Sequence, residues 1–351
     1  MNLYVHFPFC RAKCTYCALP SRGGSPAAER AAYVARLAAV VRDRLPATPL
    51  ETVYFGSGTP ALCDLAPLLD ALAPRLAPGA EFTVELHPRD VTRATLQTLK
   101  AGGVNRISMG VQSLDDDILK HMARGYTFHD AERAFGLVKA HFDNAGIDLI
   151  VGYPGETAAL LPRHARLANW GLAHCSVYSL ILEEKSRLWG LVKHSLILST
   201  PPLALPSDET VLDHLAAVAR FLAELGLRRY EISSYAVPGR ECRHNLATWR
   251  GEDYIGLGEG AHGRIGRVRT QNWMGEDFAA FEQVSEAADR KERLLFRLRT
   301  REGLDASLLS EDGQAVLDQN CRAGLLTRDG TIYRLTARGT EVCDAILAEL
   351  V

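Results

Sequence analysis

Tyr4-Val-His-Phe-Pro-Phe-Cys10-Arg-Ala-Lys-Cys14-Thr-Tyr16-Cys17 is the stretch on which the reading of this chain turns. Three thiols at C-x3-C-x2-C spacing can hold three corners of a cubane [4Fe–4S] cluster, which leaves the fourth iron without a protein thiolate. An open iron can take a small ligand, so such a cluster is a place for chemistry as well as an electron store. Thiolates that must reach three irons of one cube favour a tight loop behind a strand. The run Leu3–His6, ahead of Pro8, predicts that strand. The competing reading is a zinc site with His6 or another cysteine as fourth ligand. Zinc knuckles usually bring a second close Cys/His pair, and none follows nearby in the sequence.

Outward from this loop, β-rich runs alternate with helical patterns through the first two thirds of the chain. Further strands are predicted at Thr52–Phe55, Phe82–Leu86, Arg106–Met109, Ile147–Val151 and Cys175–Leu180. Val34, Leu37, Val40, Val41 and Leu45 recur at the spacing of one buried helical face, and Leu212, Leu215, Val218, Leu222 and Leu225 repeat the pattern over 207–225. Strand–helix alternation implies an α/β fold with a parallel sheet whose functional residues gather at the carboxyl ends of the strands. Six units are too few for a closed eight-fold barrel, so the expectation is a partial (β/α)6 barrel with a side opening for a bulky substrate. The stretch 181–206 ends in Ser-Thr-Pro-Pro and reads as an excursion or loop. Gly251 to Gly266 is expected to close the barrel region.

Domains are expected at 1–277 and 278–351. The second opens with a helix (Phe281–Arg299), carries a hairpin signal at Asp329-Gly330 and ends in a helix (Thr340–Leu350), the makings of a winged-helix-like α+β module. Such modules often bind DNA, but residues 290–351 hold ten basic and ten acidic side chains, so a lid or docking role is favoured. Across the whole chain the formal charge is −2 and the pI about 6.6, which offers no positive field to recruit nucleic acid or an acidic membrane. No apolar run reaches the ~18 residues of a membrane span, and no signal peptide precedes the cysteine loop. Cys63, Cys175, Cys242, Cys321 and Cys343 are scattered and read as lone thiols of a reducing compartment, with cytoplasm the default.

With C-x3-C-x-Tyr-C at its start, the chain resembles the radical S-adenosylmethionine (SAM) superfamily. That resemblance implies a cluster whose open iron is chelated by SAM, which is then cleaved reductively, and an electron donor for the cluster. It assigns Tyr16 to packing near the adenine. Gly56-Ser57-Gly58-Thr59-Pro60 matches the glycine-rich segment that meets the methionyl amino group; no Lys-Ser/Thr follows, so it is not a nucleotide-binding P-loop. Glu85 matches the acidic residue on the ribose hydroxyls, a common task for a carboxylate facing a diol. Gln112, Arg124 and Asp148 match the remaining SAM contacts, and Tyr4 joins the same set.

More closely, Val53-Tyr-Phe-Gly-Ser-Gly-Thr-Pro60, Asn105-Arg-Ile-Ser-Met-Gly-Val-Gln-Ser113, Ile147-Asp-Leu-Ile-Val-Gly-Tyr-Pro-Gly155, Tyr230-Glu-Ile-Ser-Ser and Glu241-Cys-Arg-His-Asn245 are similar to the oxygen-independent coproporphyrinogen III oxidases and their HemW relatives. The resemblance runs over essentially the whole chain. Oxidases decarboxylate tetrapyrrole propionates, whereas the HemW branch implies haem binding and delivery to an acceptor protein, with a membrane encountered only through such a partner. Three features favour the HemW branch over coproporphyrinogen oxidase activity. Leu19 stands where oxidases carry a further cysteine, only nine residues precede Cys10, and His244-Asn-Leu-Ala-Thr-Trp249 follows the haem-associated H-N-x-x-Y-W pattern. His262 also falls where HemW relatives have histidine. Thr248 replaces the tyrosine of that pattern, removing an aromatic surface worth ~1 kcal/mol to a porphyrin. Ser57, His87 and Glu259 also depart from close relatives. His244 is the candidate haem residue, Cys242 an alternative soft ligand, and the basic run Arg290–Arg301 a possible meeting point for haem propionates or a partner.

Overall fold

Alternation of apolar and polar side chains along parallel strands organises this molecule. The computed structural model describes residues 1–198, 203–275 and 280–350. Its central strands are β1 (Asn2–Phe7), β2 (Leu50–Ser57), β3 (Leu76–Leu86), β4 (Arg106–Gln112), β5 (Ala145–Val151) and β6 (His174–Ser179), neighbours in that order and all parallel. Parallel strands covered on both faces normally read as continuous apolar runs. Here the register sets Tyr4 beside Tyr54 and Tyr54 beside Thr83, then Glu85 beside Ser108 and Asp148 beside Ser176, so one face is polar. The other face presents Val5, Phe55, Val84, Met109, Ile147 and Val177, all buried in the main core.

Helices cover that apolar face. Ala27–Asp43 buries Val34, Leu37 and Val41, and Phe128–Lys139 buries Ala131, Phe135 and Val138. Local chemistry starts them where the sequence turns: Thr127 and Asp130 form a reciprocal capping box, and Ser207 accepts from the Thr210 N–H to open Asp208–Glu224. Each such cap contributes about 1 kcal/mol.

Among the described residues the sheet has twelve strands and extends beyond the six expected ones at both edges. Tyr254–Leu257 lies parallel beside β1, followed by antiparallel His262–Ile265, Val268–Gln271 and Ala280–Gln283. Ser234–Ala236 and Arg228–Arg229 add antiparallel to β6. The glycine-rich stretch therefore builds a seventh parallel strand and a hairpin. Gly256 has no room for a side chain, because a Cβ there would run into the His262 carbonyl.

Three local expectations are corrected. The stretch 181–206 contains a helix, Arg187–Leu198, whose Leu188 packs with Ile118, Met122 and Tyr153; residues 199–202 lie outside the described residues. Phe281–Arg299 is not one helix. A strand, Ala280–Gln283, pairs with Val268–Gln271, and the helix Glu286–Leu298 starts only after Ser285 caps it by accepting from the Ala288 N–H. The terminal helix breaks at Val342 into Ala337–Glu341 and Cys343–Glu349.

From Glu286 onward the chain gathers around a second core of Leu298, Leu304, Leu317, Leu326, Tyr333 and Ile346. Leu304–Asp305, Ile332–Leu335 and Leu326–Asp329 form its three-stranded sheet, with Gly330 at φ 59° turning the hairpin. The expected boundary at 277/278 falls outside the described residues. Among the described residues no helix is long and apolar enough to cross a membrane.

Candidate functional site

The polar face of the sheet opens, at the carboxyl ends of its strands, into a cavity of about 390 Å³. Cys10, Cys14 and Cys17 come to its wall on the loop after β1. The Cys17 N–H donates to the Cys14 carbonyl at 3.2 Å, and the Thr15 hydroxyl ties the loop to the His121 carbonyl and to Tyr153. Tyr16, Ser57, Gly58, Thr59, Glu85, Gln112, Arg124 and Asp148 line the same cavity, contributed by six separate segments. Gly58 is required for the fit, since a Cβ would strike the Phe7 and Phe9 carbonyls and push the cysteine loop away. Among the described residues, no three His, Cys, Asp or Glu side chains converge tightly enough for one metal ion. A cubane differs in asking its thiolates to reach separate irons.

Backbone strain is concentrated here. Among the described residues four non-glycines have φ in the left-handed region, and three of them, Ser57 (82°), Gln112 (69°) and Ala123 (59°), line the cavity. Such residues cost of order 1 kcal/mol each and mark sites where geometry is held for function. The Ser57 hydroxyl is also buried without a partner, a polar group waiting for a ligand.

The site's carboxylates are held short of water. Glu85 accepts from the Tyr54 hydroxyl at 2.8 Å and from the Ser57 N–H at 3.0 Å. Burial, with Asp148 nearby, pushes its carboxyl up to about 7. Burial also raises Asp148, which accepts from Ser108 at 3.1 Å. Burial, with Arg124, Arg89 and Arg11 around it, pushes His87 down to about 2, so this imidazole is neutral.

Arg124 supplies the buried positive charge. Its guanidinium donates to the Gly110 carbonyl (2.5 Å), Tyr126 hydroxyl (3.1 Å), Cys14 sulfur (3.2 Å) and Tyr16 hydroxyl (3.4 Å). None of these partners is a carboxylate. A buried cation so placed calls for anions, and a cluster thiolate and a ligand carboxylate would supply them.

Tyr4 and His244 do not line the cavity but lie in the layer beneath it. Tyr4 tilts against Tyr54 and His244, with ring centroids 6.2 and 6.4 Å away. His244, 5 % exposed, sits on the helix Arg243–Trp249, whose start is fixed by Glu81 accepting the Arg243 and His244 N–H groups. Its Nδ1 lies 2.7 Å from the Thr52 hydroxyl, which donates to Asn2 Oδ1; Asn2 is oriented by its amide donating to the Asp253 carbonyl. Nδ1 is therefore the protonated nitrogen, and Nε2 keeps the lone pair. Burial pushes His244 down to about 4 and keeps it neutral. Thr52 and Ser57 stand at opposite ends of β2, about 16 Å apart at 3.3 Å per residue. Thr248 turns its hydroxyl back to the His244 carbonyl, Cys242 is buried, and His262 is exposed. Sequence reasoning passed over Tyr54 and Tyr178, two further cavity residues; both stand at polar-face positions in the strand alternation, the signal that could have found them.

Residues 4–168 match the radical SAM superfamily. The chain is 33% identical to the heme chaperone HemW of Mycobacterium tuberculosis over 99% of its own length and 94% of that protein. It is 31% identical to heme chaperone HemW of Bacillus subtilis, over 99% of this chain and 100% of that protein. With heme chaperone HemW of Escherichia coli the identity is 31%, over 99% and 97%. The solved structure of coproporphyrinogen III oxidase (HemN) from Escherichia coli, a radical SAM enzyme, superposes with a TM-score of 0.80 over 99% of this chain and 89% of that one. At 21% identity that likeness establishes the α/β fold.

Proposed function

The chain belongs to the HemW family within the radical SAM superfamily, and we propose that it is a haem chaperone that keeps a [4Fe–4S] cluster and SAM and passes haem to an acceptor protein. Membership of the superfamily implies the cluster and SAM as cofactors. In this reading Cys10, Cys14 and Cys17 hold three irons, and Tyr16, Ser57, Gly58, Thr59, Glu85, Gln112, Arg124 and Asp148 hold SAM, with Tyr4 packing beneath. The observation that carries it is the meeting of three loop thiols, two buried carboxylates and a guanidinium without a carboxylate partner around one cavity. The donor set fits the cofactors. Arg124 takes anionic groups, Glu85 and Asp148 accept from hydroxyl and ammonium donors, and Ser57 offers an unspent hydroxyl. Together the bound cofactors supply one-electron chemistry; the chain's residues orient them and exclude water.

Haem is proposed at His244, through the Nε2 lone pair. Because that residue is buried, haem reaches it only when the helix Arg243–Trp249 moves off the strand ends. Residues 278–351 serve in this reading as a lid or docking module, in a cytoplasmic protein served by a separate electron donor. The test is a haem titration of wild type against His244→Ala, followed by the Soret band. Saturable binding lost in the variant supports the reading. Equal, weak, non-saturating binding in both removes it.

A further inference from the structure

We propose that Arg124 sets how readily the cluster accepts an electron, acting on it through the Cys14 sulfur. This rests on the reading above that Cys10, Cys14 and Cys17 hold a [4Fe–4S] cluster.

The guanidinium is aimed before any cofactor arrives. The Arg124 N–H donates to the Leu119 carbonyl at 3.0 Å, and the preceding Ala123, at φ 59°, turns the chain out of the helix Asp116–His121. The side chain is then clamped by the Gly110 carbonyl and the Tyr126 hydroxyl, which leaves Nη1 directed at Cys14. Arg124 is 7 % exposed, so its charge reaches the thiol through protein rather than water, where Coulomb interactions are several times stronger. The other two thiols have different surroundings. Cys10 meets the Ser21 and Thr59 hydroxyls, and Cys17 meets the Leu19 backbone and feels Lys13 and Arg124 only as charges at a distance. The guanidinium contact is thus directed at one of the three ligands.

Reduction adds one electron to the cluster from an external low-potential reductant, and no bond is made or broken. The added negative charge spreads over the irons, sulfides and thiolates. A fixed cation and an N–H···S hydrogen bond stabilise the reduced form more than the oxidised form, because the interaction grows with the charge on sulfur. Removing Arg124 therefore makes the cluster harder to reduce.

The experiment is a potentiometric titration followed by EPR on the reconstituted full chain without SAM, comparing wild type, Arg124→Gln, Arg124→Lys and Lys13→Gln. Lys13 lies in the same loop but is exposed, with its ammonium on the Leu19 carbonyl, so it removes an equal charge from solvent. Iron and sulfide analysis comes first. A wild type that holds no cluster removes the reading on which this rests, and that result is read separately from any potential. With the cluster present, Arg124→Gln is expected to have the lower midpoint. At the wild-type midpoint its reduced-to-oxidised ratio should fall roughly tenfold, the factor that corresponds to about 1.4 kcal/mol. Arg124→Lys should fall between the two, and it carries the comparison if Arg124→Gln does not retain iron. Lys13→Gln should move the midpoint by less than Arg124→Gln, because its exposed ammonium acts on Cys17 through solvent. An unshifted Arg124 variant, or a shift as large in Lys13→Gln, overturns the proposal.

Discussion

Glu85→Gln tests the electrostatic reading of the cavity without any cofactor. The wild-type carboxyl is held at about 7 against an ordinary 4.5, chiefly by burial and secondarily by Asp148. The sign follows from proton linkage. Between those two values the folded chain binds more protons at this site than the unfolded chain, so wild-type stability falls as pH rises. Integrated from pH 5 to pH 8, a shift from 4.5 to about 7 removes about 2.5 kcal/mol of stability. Glutamine does not ionise and carries no such slope. It does lose one acceptor, because Glu85 takes hydrogen bonds from both Tyr54 and the Ser57 N–H, while an amide has a single oxygen. That loss is about 1–3 kcal/mol and independent of pH. Glu85→Gln should therefore be the less stable protein at pH 5 and draw level with or pass wild type at pH 8. Urea unfolding of the metal-free chain at four pH values, read by tryptophan fluorescence, gives the midpoint difference directly. A difference that stays constant from pH 5 to 8 would show that Glu85 is ionised throughout and refute the argument. Relief of the Asp148 repulsion adds to the predicted slope and does not reverse it.

Other perturbations separate the parts of the molecule. Replacing Cys10, Cys14 or Cys17 singly by serine should abolish cluster assembly, measured as iron and sulfide per chain. The urea midpoint should barely move, because all three thiols sit on a partly exposed loop. Thr52→Val turns a methyl toward the His244 Nδ1–H and Asn2 Oδ1, leaving both polar groups unpaired at a cost of about 1–3 kcal/mol; an unchanged urea midpoint would contradict the placement of His244. Arg264→Ala removes the buried partner, itself only 7 % exposed, that Asp289 and Glu292 share, and leaves each with one part-exposed arginine, Arg293 and Arg269. The lost hydrogen bonds to charged groups cost about 1.5–3 kcal/mol. The consequence should be earlier proteolytic release of the segment after Glu286, and release at the wild-type rate would show that this pairing does not anchor the helix Glu286–Leu298.

What could be read from the sequence follows the range of the forces involved. The six central strands were legible because period-2 alternation is written in consecutive residues, and each observed strand contains or closely overlaps the expected run. Tyr254–Leu257 was not legible as a seventh strand. Four residues among glycines carry little propensity, and their partner β1 lies some 250 positions away. The Arg187–Leu198 helix was hidden for a related reason, since the proline-rich end of its segment outweighed apolar residues whose partners, Ile118 and Tyr153, are distant in sequence. Within the site, the cysteine loop was legible from its spacing, and Ser57, Glu85, Gln112 and Asp148 through the resemblance; the first three stand at the carboxyl ends of their strands, where a parallel sheet gathers functional residues, and Asp148 stands mid-strand. The contact between Arg124 and Cys14 was not legible, being set by a helix end folding back on a loop 110 residues earlier.

His244 shows where such reading stops, and what the structure adds. A motif names the residue but not the element it packs against. The helix Arg243–Trp249 seats His244 on Thr52 and Asn2, at the amino ends of the strands, while the cysteine loop occupies the carboxyl ends. Haem on His244 and SAM in the cavity would therefore not touch. His244→Ala should leave iron content and SAM affinity at wild-type values, just as the cysteine variants should leave haem binding unchanged. Any effect of haem on SAM affinity must cross the layer between them. Tyr54 spans that layer, its ring 5.3 Å from the His244 ring and its hydroxyl 2.8 Å from Glu85. By linkage such an effect would be reciprocal, so Tyr54→Phe should weaken it equally in both directions, whatever it does to the affinity of either ligand alone.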